Sequence, residues 1–173
     1  MKLFISPHND DEILFGAYTI MREKPLVVII THSTMQGNNG DERTLESYRA
    51  MKILGVPIVF LGIDEDKITE EILNEKFNIL GVNDEYLDVV YIPEYQENGN
   101  PHHNLVNEYF KKRYSFLTKE YKTYSGLEDR TIGKEIIPTD EELEIKKRVM
   151  ACYKTQIENP MTSHYFTTYN EYE

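Results

Sequence analysis

The sequence predicts an α/β domain with a mainly parallel sheet, and three observations support this prediction. Short apolar runs alternate four times with segments of helical periodicity, which is the pattern of successive β-α-β units. The run over 26–30 is rich in Val and Ile and is almost uniformly apolar, as expected of a strand buried on both faces. The 173 residues fit one domain of ordinary size, so we predict a single domain over 1–173.

Each predicted element rests on a local pattern. Predicted strands are the apolar runs at 2–6, 26–30, 57–63 and 87–92, with weaker candidates at 121–124 and 135–137. Predicted helices have apolar residues three and four positions apart and lie at 10–22, 43–54, 69–80, 103–117 and 139–157. Gly55 and Gly81 follow two of these helices as C-terminal stops, and Thr139 or Asp140 is the expected N-cap of the last one. The Tyr- and Thr-rich tail over 160–173 receives no assignment.

Composition argues against several classes of function. The chain has 19 basic and 30 acidic residues and a formal net charge of −11, whereas nucleic-acid and anionic-membrane binders need a basic surface. No apolar run approaches the roughly 18 residues of a membrane span, and the N-terminus lacks a signal-peptide pattern. Cys152 is the single cysteine, so an intrachain disulfide is excluded. We therefore expect a cytoplasmic protein with a small-molecule partner.

Chemically active side chains follow the first and fourth predicted strands. His8, Asp10 and Asp11 lie in the loop over 7–11, and the loop over 93–103 ends with His102 and His103. The carboxyl ends of parallel strands meet at one edge of a sheet, where ligands of such folds bind. One imidazole and one carboxylate from the first loop, with one imidazole from the second, would form the three-ligand set of a catalytic zinc site. The spare carboxylate would then be placed to accept a proton from bound water.

Simpler interpretations of the same residues remain open. Acidic residues at a helix start, here Asp10, Asp11 and Glu12, often serve only the helix dipole, and paired histidines in a loop are often merely exposed. A dinucleotide site is disfavoured, because G-x-G-x-x-G does not follow the first strand and three carboxylates there would repel a pyrophosphate. A Walker A motif is also missing from the sequence.

Four segments in order resemble the LmbE/PIG-L family of zinc-dependent N-acetylglucosaminyl de-N-acetylases. The segment Ser6-Pro7-His8-Asn9-Asp10-Asp11-Glu12 resembles the family's His-Pro-Asp-Asp-Glu signature. The segment from Arg43 through Glu46 to Leu54-Gly55-Val56 resembles its Arg/Glu helix, and Asn100-Pro101-His102-His103 resembles its His-Pro-Asp-His segment. Lys146 through Gln156 resembles its late Lys…Ala…Tyr-x-Ser-Gln helix. The resemblance covers about 1–157 and implies a Rossmann-like three-layer sandwich, the LmbE-like fold.

The resemblance also implies roles for individual residues. His8, Asp11 and His103 match the ligands of one Zn²⁺ per chain, although other divalent transition metals would suit the same set. Asp10 matches the general base. Arg43 matches a substrate-holding residue, and the alternatives are a solvated helix residue or an i,i+3 partner of Glu46. Family members often assemble, so the resemblance further implies a homo-oligomer.

This chain departs from the family pattern at three places. Asn9 replaces a proline, which changes loop stiffness more than chemistry. Phe15-Gly16-Ala17-Tyr18 replaces a glycine-rich segment and is expected to narrow the adjoining pocket. Asn100 replaces a histidine that assists the reaction in some members, so we expect Asn100 to contact substrate and His102 to act as the substitute catalytic group.

The function implied is hydrolysis of an acetyl or acyl amide on an N-acetylated amino sugar or a related conjugate. Two alternatives stay open from the residues alone. One is a Mg²⁺-dependent phosphohydrolase built on the acidic cluster, although the histidines favour zinc. The other is a non-catalytic descendant of the fold that binds a sugar or nucleotide-sugar.

Overall fold

One parallel sheet forms the centre of the molecule. The computed structural model describes residues 1–34, 39–124 and 133–173, and within them five strands pair in the order β3-β2-β1-β4-β5, every pair parallel. The strands are β1 (Lys2–Ser6), β2 (Leu26–Thr31), β3 (Ile58–Ile63), β4 (Val89–Pro93) and β5 (Thr118–Tyr121). The predicted α/β class with a parallel sheet is confirmed.

Helices cover both faces of this sheet and complete a three-layer sandwich. They are α1 (Asp11–Leu14), α2 (Ala17–Glu23), α3 (Gly40–Leu54), α4 (Glu70–Ile79), α5 (Pro101–Tyr114), α6 (Asp140–Met150) and α7 (Lys154–Ile157). Side chains alternate along each strand, so neighbouring residues enter different cores. Phe4 of β1 packs with α1, α2, α3 and α6, whereas Leu3 and Ile5 pack with α4 and α5 on the opposite face.

The prediction of one continuous helix over 10–22 is wrong. The structure divides it into α1 and α2, because the backbone breaks at Phe15 and Gly16. Gly16 lies directly against the Phe4 ring, where an added Cβ would stand 2.0 Å from the ring carbon Cζ. The glycine therefore lets the chain pass closely over the sheet, which is a reason for the break that helical periodicity does not reveal.

The predicted last helix over 139–157 is also divided, into α6 and α7. Thr139 is confirmed as the N-cap of α6, and it forms a capping box with Glu142. Residues 151–153 separate the two helices, and Tyr153 turns inward there and is fully buried. The hydrogen bonds of the Tyr153 hydroxyl to Glu12 and Ser47 explain why the chain leaves the helical path at this point.

The unassigned tail packs back onto the domain. Residues Ser163–Thr167 form a 3₁₀ turn, and Glu171 is buried beside α2 and α6. The Glu171 carboxylate accepts hydrogen bonds from the Tyr18 backbone N–H and from Lys146 Nζ, the latter at 2.7 Å. Glu135 pairs with Tyr172 in an isolated antiparallel bridge, so the predicted strand over 135–137 is wrong.

Smaller boundary differences affect the site. The predicted strand over 121–124 lies earlier in the chain, as β5, and the helix predicted over 103–117 begins at Pro101. His102 and His103 therefore occupy the first turn of α5 and not a loop. The stretch over 33–40 after β2 is polar and contains glycines, a composition that predicts a loop, and its residues 35–38 lie outside the described part. Of the described residues, none belongs to a helix with the length and apolarity needed to cross a membrane.

Candidate metal centre

The strand order places two of the predicted loops side by side. β1 lies at the centre of the sheet, with β2 on one side and β4 on the other. Successive strands are therefore added first on one side of β1 and then on the other, and the carboxyl ends of the parallel strands at such a switch point open a crevice in α/β folds. The loop after β1 carries His8, Asp10 and Asp11, and the segment after β4 leads to α5 with His102 and His103.

Three side chains meet in this crevice with their ligand atoms nearly equidistant. Asp11 Oδ2 lies 3.0 Å from His8 Nδ1 and 3.1 Å from His103 Nε2, and the two ring nitrogens are 3.2 Å apart. All three residues are buried. We call His8, Asp11 and His103 the inner triad.

The inner triad fits a transition metal ion. Ligand atoms on a tetrahedral zinc, with bonds of roughly 2.0–2.1 Å, stand about 3.3–3.4 Å apart, close to the separations observed here. The donor set of two imidazoles and one carboxylate leaves a fourth position for water or substrate. Two nitrogen donors favour zinc or a similar ion over magnesium, which prefers oxygen ligands and octahedral geometry.

The surroundings of Asp10 and Asp11 shift the pKa values of the two carboxyl groups in opposite directions. Burial alone would raise the pKa of Asp11, but His103 and His8 outweigh it and hold that pKa well below its usual range. Burial raises the pKa of Asp10 to about 7, with Asp11 adding repulsion, although Arg43 opposes the shift. Asp11 is therefore held in the ionised form that a metal ligand needs, whereas Asp10 is a carboxyl group able to exchange a proton near neutral pH.

Asp10 is held in an unusual backbone conformation. Its φ of 140° and ψ of −30° lie in a region that residues with a side chain rarely adopt. Glu12 Oε2 accepts the Asp10 N–H at 2.9 Å, and the His8 N–H bonds Asp11 Oδ2 at 2.9 Å. These bonds fold the loop so tightly that Asp10 and Asp11 present their carboxylates to the same crevice. Glu12, which the sequence offers as an acidic residue at a helix start, thus supports the backbone of Asp10.

Arg43 is buried, so its interpretation as a solvated helix residue is wrong. Its Nη2 donates to Asp10 Oδ2 at 2.8 Å and also bonds the Asn9 carbonyl oxygen. The Glu46 carboxylate accepts hydrogen bonds from the backbone N–H and the hydroxyl of Thr155. The alternative i,i+3 ion pair between Arg43 and Glu46 is therefore unsupported. Among the described residues the Arg43 Nε has no hydrogen-bond partner, although the side chain lines the cleft.

Glu65 is a member of the site that the sequence analysis missed. It lies on a short 3₁₀ turn, Glu65–Lys67, directly after β3, and is buried. Its Oε1 stands 3.5 Å from His8 Nε2, the ring nitrogen that faces away from the inner triad. The sequence carries a signal for it, because Glu65 closely follows the predicted strand over 57–63, whose carboxyl end lies at the same edge of the parallel sheet.

The predicted catalytic residue His102 also contacts the outer edge of His8. His102 Nδ1 lies 2.9 Å from His8 Nε2, and burial together with the neighbouring His8 lowers the pKa of His102. A neutral His102 ring can accept the Nε2–H of His8, which leaves the His8 Nδ1 lone pair directed at the inner triad. The arrangement gives His102 a positioning role in addition to its predicted catalytic one.

Asn100 has a clear structural role. It is the N-cap of α5, and its Oδ1 accepts the His102 N–H at 2.9 Å. It also lines a cleft of about 300 Å³ beside the inner triad, so contact with substrate stays a prediction. That cleft is lined by these residues: His8, Asp10, Arg43, Glu65, Asn100, Pro101, His102, Tyr124, Gln156 and Thr162.

The segment that replaces the family's glycines divides between two environments. Phe15 packs edge-on against Tyr124 and lines an adjoining cavity of about 270 Å³. Tyr124 in turn stacks on the His103 ring, with centroids 5.7 Å apart. Tyr18 instead is buried against Lys146 and Glu171, away from the cleft. Phe15 is therefore the residue of this segment that lines the space beside the inner triad, and the narrowing of the pocket stays a prediction.

The protein is a parallel α/β domain with a histidine–carboxylate cluster at the switch point between β1 and β4. Sequence comparison assigns a family to this domain. The chain belongs to the PIG-L family, described as GlcNAc-PI de-N-acetylase, whose profile matches residues 3–114. The predicted family resemblance is confirmed. A comparison with curated protein sequences finds no match.

Solved structures of similar fold include enzymes of two reaction types. The 4-carboxy-2-hydroxymuconate hydratase GalB from Pseudomonas putida KT2440 is 13% identical, with a TM-score of 0.70 over 96% of this chain and 83% of its own. The N,N'-diacetylchitobiose deacetylase of Pyrococcus horikoshii is 16% identical, with a TM-score of 0.66 over 95% of this chain and 74% of its own. A triple-mutant deacetylase of the teicoplanin biosynthetic pathway is 15% identical, with a TM-score of 0.69 over 95% of this chain and 87% of its own. At these identities the likeness shows the fold alone.

Proposed function

We propose that this protein is a zinc-dependent N-deacetylase that releases acetate from an N-acetylated amino sugar or a related conjugate. The observation that carries the proposal is the inner triad with the adjacent Asp10 carboxyl: the segment after β1 supplies two ligands and the base, and α5 supplies the third ligand. Membership of a family described as a de-N-acetylase supports the same reaction. The cleft of about 300 Å³ is of a size for one sugar residue with its acetamido group.

The chain's own residues divide the work between them. When bound by His8, Asp11 and His103, zinc would polarise the acetamido carbonyl and acidify water. Asp10 removes a proton from the attacking water and returns it to the leaving amine, because it lines the cleft directly beside the ligand Asp11. Arg43 orients the Asp10 carboxylate through their 2.8 Å contact, and it lines the cleft, where its guanidinium would bind a polar group of the substrate.

Metal analysis and acetate release test the proposal together. Wild-type protein should hold about one zinc per chain. His103→Ala should lose it, whereas His32→Ala, a histidine after β2 and outside the inner triad, should retain it. Asp10→Asn should keep the metal and lose roughly 10²- to 10⁴-fold in turnover of N-acetylated sugars.

Three results would contradict the proposal in different ways. Zinc binding without acetate release from any N-acetylated sugar would favour the sugar-binding alternative, or a hydration reaction as in GalB. Activity with magnesium alone would favour the phosphohydrolase. Near-normal turnover by Asp10→Asn would remove Asp10 from the role of base.

A further inference from the structure

The outer edge of His8 carries a second cluster of ligand atoms. The two nitrogens of an imidazole ring point in different directions, and His8 Nδ1 belongs to the inner triad. His8 Nε2 faces His102 Nδ1 at 2.9 Å and Glu65 Oε1 at 3.5 Å. The ligand atoms of His8, Glu65 and His102 all lie within 4.8 Å of one another. We call these three residues the outer triad.

The outer triad is built from separate elements that are fixed in place. His8 follows β1, Glu65 opens the turn after β3, and His102 lies in the first turn of α5, held by its backbone bond to Asn100. The Glu65 side chain is only 6% exposed. All three residues also line the cleft, so an ion can reach them from solvent. A buried carboxylate and two imidazoles converging on one point of a cleft are the donor set of a transition-metal site.

We propose that the outer triad is a second, weaker site for a divalent transition metal such as Zn²⁺. The separations of 2.9 and 3.5 Å from His8 Nε2 bracket the roughly 3.3–3.4 Å expected between ligands of a tetrahedral ion. Filling both triads makes His8 a bridging imidazolate, and its Nε2 proton leaves to solvent. The loss of that proton makes the outer site weaker than the inner one, so it fills only with metal in excess.

A metal ion in the outer triad would change the catalytic site. The ion would occupy one wall of the cleft and would bind His102 Nδ1. That nitrogen would then no longer accept the Nε2–H of His8. Excess zinc should therefore slow turnover. This consequence rests on the proposed function, whereas the binding site itself does not.

Zinc titration of metal-free protein, by equilibrium dialysis and calorimetry, tests the site without reference to activity. Wild type should bind one zinc tightly and a second at least 100-fold more weakly. Glu65→Gln and His102→Asn should retain the tight zinc and weaken the second at least 10-fold. Asp66→Asn, an exposed carboxylate on the same turn, is the matched control and should bind as wild type. A single equivalent in wild type, or a second equivalent that survives in both variants, would overturn the proposal.

Two further variants separate the outer site from the inner one. His103→Ala removes a ligand of the inner triad alone, and it should keep one weak zinc that His103→Ala/Glu65→Gln loses. Retention of that weak zinc supports the outer site even if the proposed deacetylase fails. If the double variant binds the weak zinc unchanged, the outer site is wrong and the inner triad is unaffected. In acetate-release assays, inhibition by excess zinc should appear in wild type and Asp66→Asn but not in Glu65→Gln.

Discussion

Replacement of Glu171 by glutamine is expected to destabilise the protein strongly. Glu171 and Lys146 both have 0% side-chain exposure, and their charged atoms are 2.7 Å apart. Glutamine keeps the shape of Glu171 but removes the charge that compensates the buried ammonium group of Lys146. Breaking one side of a buried pair costs about 3–5 kcal/mol. At roughly 2–4 °C per kcal/mol for a chain of this length, Tm should fall by about 6–20 °C.

The environment of Lys146 supports this magnitude. Its Nζ also donates to the Leu14 carbonyl oxygen at 3.1 Å and lies 4.8 Å from the centroid of the Tyr18 ring. Burial lowers the pKa of Lys146 although Glu171 opposes the shift, so removal of Glu171 leaves an ammonium group in an apolar setting. Lys146→Met together with Glu171→Gln should recover much of the loss, since the uncompensated charge is then gone.

Urea unfolding followed by circular dichroism measures the effect, since the chain has no tryptophan. The matched control is Glu144→Gln, which removes the partner of Lys147 from an exposed pair on the same helix, with Nζ and Oε1 2.6 Å apart. This control should leave the unfolding midpoint unchanged. A loss below about 1 kcal/mol for Glu171→Gln would refute the reasoning, as would equal losses for the two glutamine variants.

Two further predictions concern stability. The hydrogen bond from Arg22 lowers the pKa of Glu142 from 4.5 to about 2, so the stability this pair contributes is complete above pH 4.5 and is lost as the pH falls towards 2. The stability deficit of Glu142→Gln in urea titrations should therefore shrink over that range, and a deficit constant with pH would contradict the linkage. Gly16→Ala should cost about 1–3 kcal/mol, because the new Cβ meets the Phe4 ring at 2.0 Å and that ring is stacked on Tyr121. An unchanged Tm for Gly16→Ala would show that the ring moves freely.

The sequence predicted the sheet, and the edge of the sheet at which the histidines and carboxylates meet, because both depend on local patterns. Uniformly apolar runs specify buried parallel strands, and residues that directly follow such strands reach one edge of the sheet. These patterns predicted that an imidazole and a carboxylate from the first loop would meet an imidazole from the second, and the resemblance to the family singled out His8, Asp11 and His103. Their chemistry depends on residue type and position along the chain, and both of these are visible in a sequence.

The features that the sequence did not reveal depend on contacts distant in the chain. The break at Gly16 is set by Phe4 on the sheet, and the inward turn at Tyr153 is set by its bond to Glu12, 141 residues away. Glu171 carries no pattern that marks it as buried until Lys146 is placed beside it. Glu65 belongs to the site only because His8 presents a second ring nitrogen towards β3.

The conformation of Asp10 has a consequence for the evolution and engineering of this protein. A residue with a side chain at φ 140° carries a cost of about 1–3 kcal/mol that glycine would not. Glycine at position 10 would relieve that strain, but it would also remove the partner of the buried Arg43 guanidinium, and breaking such a pair costs about 3–5 kcal/mol. Selection for thermal tolerance alone should therefore retain the Asp10 carboxylate, so that stability preserves at this position the group that the proposed reaction needs.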